Sequence, residues 1–254
     1  MITSAYSHAL LFLVFLVQVH CMGGRAFRSA LHTCLDIAGI KDGRSAENER
    51  GGDWVLTAAS DRGALVHTYV HFLDRGLAHL TSSVREAVQV STAGTEWNVL
   101  DPSSALSMTL DKLLLAINGV RETIEHDTHP SLIEKFVAPP SECLERKTHR
   151  PGNDSIPNQV LNETWDLLES PLTRGALEDC LDATFKIMED ELLRAIFEKN
   201  GVFSPKPLAH VIAQLKSTTS CSFSASSQHG ETIFSEVLES LPSVHDAALA
   251  SFDC

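Results

Sequence analysis

Residues 160–197 read VLNETWDLLESPLTRGALEDCLDATFKIMEDELLRAIF, and their periodicity decides the fold class. Val160, Leu161, Thr164, Trp165 and Leu168 recur at three- and four-residue steps, the spacing that lines one face of a helix. Ser170 followed by Pro171 interrupts the pattern and restarts it. A serine hydroxyl caps the next helix, and proline fits the first turn, where its missing N–H needs no partner. Leu177, Leu181 with Cys180, Phe185 with Thr184, Met188, Leu192 and Ile196 then carry an apolar stripe to Asn200-Gly201, read as a helix stop. Two helices joined at a corner, each with one apolar face, make a packing unit. Trp165 and Leu168 are expected to be buried with Leu161 against the Leu177–Leu181 stripe, with the indole at the edge of that face and its N–H reaching water or a carbonyl.

The same period recurs upstream. Val66, Val70, Leu73, Leu77, Leu80, Val84 and Ala87 step by four and three, the seam of a bundle helix. Leu106, Leu110, Leu113, Ile117, Val120 and Ile124 repeat it, opened by Asp101 as a cap with Pro102 behind it. Separated by a loop around residues 91–100, the two helices are expected to pair antiparallel. Residues 41–53 form a polar, Gly-rich stretch, and residues 126–158 hold five prolines and read as a long irregular connection. Residues 217–230 are serine-rich and read as a flexible linker. No β-alternation and no internal repeat is present. The pattern predicts an all-α chain, one elongated helical bundle over residues 1–254, of about six to eight helices with long irregular loops.

The string LNETxDxxESP (Leu161, Asn162, Glu163, Thr164, Asp166, Glu169, Ser170, Pro171), with Cys180-Leu181 and then Pro207-Leu208-Ala209, resembles the C-terminal part of the peroxin-3 family of peroxisome biogenesis factors. Residues 8–24, 72–89, 97–125 and 240–252 are similar to successive helices of that family, so the resemblance touches most of the chain. It implies a non-catalytic scaffold that docks a peroxin-19-like import receptor with its membrane-protein cargo, on the cytosolic face of the peroxisomal membrane. The expected mode is helix-in-groove recognition. The family's membrane anchor and the helical portion bearing its groove tryptophan have no counterpart here. None of Trp54, Trp97 and Trp165 takes that place, so attachment to the membrane would run through a missing or divergent N-terminal anchor. The family usually has a lysine after the Pro-Leu-Ala tripeptide, near the partner groove. His210 stands there and keeps a hydrogen-bond donor. At Trp165 the family usually has a polar residue.

The N-terminus admits three readings. Ala9 to Val19 is apolar and of signal-peptide length, with small residues behind it, but no Lys or Arg precedes it. Gln18 and His20 interrupt the run before the ~20 apolar residues of a membrane span. A packed core helix is the preferred reading, a signal peptide over residues 1–24 or an anchor the others.

A net charge of −13 argues against a nucleic-acid partner, because phosphate binding rests on clustered Lys and Arg. It equally disfavours a basic patch on anionic lipid. Six cysteines at long, irregular spacings, with no CxxC, read as reduced cytosolic thiols, and Cys180 within an apolar stripe as a small hydrophobe. His67 and His71, with Asp74 a further turn along, have the spacing of a metal pair, but no HExxH is present and the histidines flank a packing seam. No cofactor or metal is assigned. Walker, GxGxxG and GxSxG patterns are absent, so an enzyme is not expected. The competing functional class is a secreted helical protein without a peroxisomal role, and a metal-dependent enzyme is a third.

Overall fold

The structure, a computed structural model, describes residues 1–37, 66, 68–93, 107–126, 131–137, 164–199, 202–222 and 233–252. Within them the chain is a helical bundle, as the periodicity predicts. Its helices are α1 (Ile2–Ile37), α2 (Leu77–Thr92), α3 (Leu110–Glu125), α4 (Leu132–Phe136), α5 (Pro171–Ile187), α6 (Arg194–Phe197), α7 (Leu208–Ser222), α8 (Ile233–Glu239) and α9 (Pro242–Phe252). A further helical turn covers residues 164–168. The sequence reading found no strands, but four two-residue strands are present: β1 (Ser107–Met108), β2 (Glu198–Lys199), β3 (Val202–Phe203) and β4 (Lys206–Pro207). They pair antiparallel as β1 with β4 and β2 with β3, too short to show any alternation of side chains.

The first helix is the spine. Ala5, Tyr6, Ala9, Leu10, Leu13, Val14, Val17 and Cys21 are buried in the core, so Ala9–Val19 is a packed helix. Each buried leucine or valine of this kind contributes ~1.5–3 kcal/mol. Some polar residues of this helix turn back on its own backbone. Ser7 Oγ donates to the Thr3 carbonyl at 2.7 Å, and His20 Nδ1 lies 2.9 Å from the Leu16 carbonyl oxygen. The opposite side leaves Phe15 and Val19 exposed, and Phe27 and Leu31 are exposed further along the helix. By length and composition the stretch Ile2–Arg28 would suffice to cross a membrane, and under half of its most apolar window is covered by the rest of the fold.

The first helix packs against α5 and α9, and α2 packs against α3. The α3 seam is as expected: Ile117, Val120 and Ile124 are buried, with Leu110 and Leu113 half-covered, while Leu106 lies outside the described residues. Its start is not. Asp101 and Pro102 lie outside the described residues, and the helix begins at Leu110, capped by Thr109, whose hydroxyl accepts from the Lys112 N–H at 3.3 Å. Residues 107–108 are extended in the β1–β4 pair, so the helix cannot start earlier.

The α2 seam holds only in its second half. Leu80, Val84 and Ala87 are buried, but Val66, Val70 and Leu73 are exposed, and Thr68, Phe72 and Gly76 take their place inside. The cause is a π turn at Phe72–Gly76, which adds one residue to a turn and rotates the face. A second π turn, Met188–Leu193, falls in the 160–197 unit, and Met188, Leu193, Ile196 and Phe197 are buried there, the first and third as the stripe predicts. That helix ends at Phe197, where Glu198 turns extended into β2. Asn200-Gly201, the expected stop, lies outside the described residues. Of the expected loops, residues 41–53 lie outside the described residues. Residues 126–158 contain α4, capped by Ser131, and the serine-rich 217–222 continue α7 as helix.

Candidate functional site

The corner read first from the sequence is built as its residues dictate. Ser170 is extended and caps α5: its hydroxyl accepts from the Thr173 N–H at 3.3 Å and lies 3.2 Å from Thr173 Oγ1. Pro171 occupies the first turn. A cap of this type contributes about 1 kcal/mol. Behind it Thr164, Leu168, Cys180 and Leu181 are buried, whereas Asp166, Glu169 and Pro171 are exposed. Leu161, Asn162 and Glu163 lie outside the described residues. The motif residues that can be placed therefore divide into a packed set and a solvent-facing set.

Trp165 lies at the edge of the packed face, as expected. Its ring is half-covered against the same core cluster as Leu168 and Leu177, but Nε1 is buried with no hydrogen-bond partner among the described residues. The Tyr69 hydroxyl is in the same state. A buried donor left unpaired costs about 1–3 kcal/mol.

His210 is exposed on the first turn of α7, directly after Pro207 in β4. The β1–β4 pair, Ser107 opposite Pro207 and Met108 opposite Lys206, anchors that tripeptide beside the entry of α3. Leu208 and Val211 pack beneath it with Ile196 and Phe197, leaving Ile212 exposed one residue past Val211. His210 and Ile212, two residues apart on a helix, stand on opposite flanks of the buried Val211 and do not share a face. Of the histidine pair, His67 lies outside the described residues, His71 is half-buried and Asp74 is exposed within the first π turn.

Sequence reading missed a polar clasp where α1, α3 and α5 meet. The Tyr6 hydroxyl donates to Glu125 Oε1 at 2.7 Å, Arg121 Nε donates to the same oxygen at 3.0 Å, and Arg121 Nη2 donates to Asp182 Oδ1 at 2.7 Å. The guanidinium lies over the Phe185 ring at 4.5 Å, and that ring meets Tyr6 edge-on at 5.4 Å. Burial opposes charge on Arg121, but its hydrogen bonds to Glu125 and Asp182 outweigh that and leave its pKa above the ordinary value. The one local signal was Arg121 and Glu125 four apart on a helix. Tyr6 and Asp182 are 119 and 61 residues from their partners, a distance no periodicity reports.

Burial also sets a pH limit. It pushes the Cys180 thiol from 9.0 up to about 12, with the Asp179 carboxylate adding to the effect, and pushes the Tyr69 hydroxyl from 10.0 to about 12. Burial and then Glu125 raise Tyr6 as well. All three are neutral when protonated and have raised folded-state values. Their stabilisation is therefore complete below the ordinary values and is lost as pH rises through the raised ones. The melting temperature is expected to hold to about pH 9 and to fall steadily between about pH 9 and 12. In Cys180→Ala the fall should begin about one unit later, near the ordinary tyrosine range. A melting temperature flat to pH 11 would contradict this burial.

No family model matches the chain. It is 25% identical over 202 residues to "Peroxisomal biogenesis factor 3" of Cricetulus longicaudatus, a match that takes in 75% of this chain and 48% of that protein. The chain therefore spans about half the length of that curated relative, and the likeness is distant. It is also 39% identical over 64 residues to "Rho GTPase-activating protein 29" of Danio rerio, covering 25% of this chain and 5% of that protein.

Proposed function

We propose that this chain acts in peroxisome biogenesis as a docking scaffold with no catalytic step of its own. The observation that carries the reading is the likeness to a peroxisomal biogenesis factor over three quarters of the chain, far longer than the LNETxDxxESP string alone. The all-helical architecture agrees with it. In this reading a peroxin-19-like receptor, loaded with membrane-protein cargo, lays an amphipathic helix into a groove of the bundle on the cytosolic face of the peroxisomal membrane. His210, exposed at the start of α7, supplies a polar contact at the margin. Membrane attachment runs through an anchor outside the segment matched here, and the exposed apolar side of α1 is compatible with a place at a membrane surface.

The test combines location with binding. The tagged chain expressed in its own cells should co-purify with peroxisomal membranes and should be retained by immobilised peroxin-19. Intact mass should show residues 1–24 still present. A secreted product beginning near Gly23 to Ala26 would replace this reading with the secreted alternative. Absence from peroxisomes together with no retention on peroxin-19 would end it.

A further inference from the structure

The helix through residues 68–92 contains two apolar seams that share one lower half. In an uninterrupted α-helix, Val66, Val70, Leu73 and Leu77 would line up above Leu80, Val84 and Ala87. In the structure, Thr68, Phe72 and Gly76 line up above them instead. Val66, Val70 and Leu73 are left 58%, 46% and 58% exposed. The difference is one residue. The Leu77 N–H bonds to the Phe72 carbonyl five positions back, and the extra residue turns everything upstream by about 100°, one step of a 3.6-residue turn.

Neither seam dominates by composition. The hidden one has Thr68, Phe72 and Gly76, and the displayed one two valines and a leucine. The observed register rests on two features. Phe72 is fully buried, and Gly76 lies so close to α4 that a Cβ built on it would overlap the Phe136 carbonyl oxygen. We propose that this helix has two registers, exchanged by forming or dissolving the π turn, and that the exchange displays or withdraws the Val66–Val70–Leu73 stripe. Packed elements switch between discrete arrangements of this kind rather than deforming continuously. The occupant of the stripe in the second register is the chain's own core.

The test uses the full chain with a cysteine at one of two positions, Thr68→Cys or Val70→Cys, and native-state alkylation resolved by peptide mass mapping. Exposed Cys34 serves as the internal reference. Deleting Asp74, exposed within the π turn, leaves a continuous α-helix that keeps Thr68 and Phe72 inward. It should slow alkylation at position 68 at least tenfold and leave position 70 unchanged. Gly76→Ala excludes the observed register. It should speed alkylation at position 68 and slow it at position 70, each at least tenfold, with the helical circular dichroism retained. Labelling at position 68 that the deletion does not change would overturn the proposal. So would a Gly76→Ala chain in which both positions react together as the helical signal is lost.

Discussion

Leu168→Ala is expected to lower the unfolding free energy by about 2–5 kcal/mol, the range for truncating a core leucine. Leu168 is fully buried in the turn at 164–168 and belongs to the core cluster that also holds Leu177, Leu181 and the inner face of α1. The turn is short, so it has little helical stability of its own and depends on this anchor. Collapse around the vacancy is restricted, because Ser170 and Pro171 fix the corner immediately downstream. The loss should appear in thermal and urea unfolding. Trp165→Ala should cost less than the top of that range, since its ring is half-covered. Under the proposed docking function, retention of the surviving folded fraction on peroxin-19 should be unchanged for both. A Leu168→Ala chain with an unaltered melting temperature and no binding would make this turn a recognition surface.

Gly24→Ala should destabilise by about 1–2 kcal/mol, the overpacking cost less the helical preference, against the usual direction of such a change. In a helix interior, alanine is favoured over glycine by about 0.5–1 kcal/mol. Here a Cβ would overlap the Phe252 carbonyl oxygen at the end of α9, backbone against backbone, where no rotamer change gives relief. Overpacking of that kind costs ~1–3 kcal/mol and outweighs the helical preference. The last turn of α9 should lift away, which breaks the 3.2 Å hydrogen bond from Arg28 Nη1 to the same carbonyl and separates Phe27 from Phe252. Gly175 is the control: it has nothing within reach of a Cβ, so Gly175→Ala should be neutral or slightly stabilising. Equal melting temperatures for Gly24→Ala and Gly175→Ala would refute the close approach.

The contrast between these glycines shows what the sequence could and could not disclose. The seams of α3 and α5 were legible because each residue's face follows from its own number. Ser170-Pro171 was legible because capping is a local hydrogen bond. The exchange of Val70 and Leu73 for Phe72 and Gly76 was not, because a π turn depends on what the helix meets across the core. The α4 carbonyl that Gly76 touches is 60 residues away. The polar clasp at Arg121 was invisible for the same reason, as was the start of α3, which is fixed by a strand pair with Lys206-Pro207. Of the candidate docking site, the sequence supplied His210 and its neighbours. That Val211 is covered and Ile212 is not depends on which side of α7 rests on Ile196 and Phe197, a matter of tertiary packing.

The meeting of α1 with the end of α9 has a consequence for biosynthesis. Arg28 and its acceptor at Phe252 are 224 residues apart, and α1 finds two of its main neighbours, α5 and α9, only in the second half of the chain. At about 5–20 residues per second, the ribosome needs on the order of ten to fifty seconds to bring them out. For that interval the most apolar helix of the protein is without its cover. The nascent chain therefore passes through a stage in which chaperones or a membrane compete with α9 for the same face, and the speed of translation helps to decide which of them meets it first.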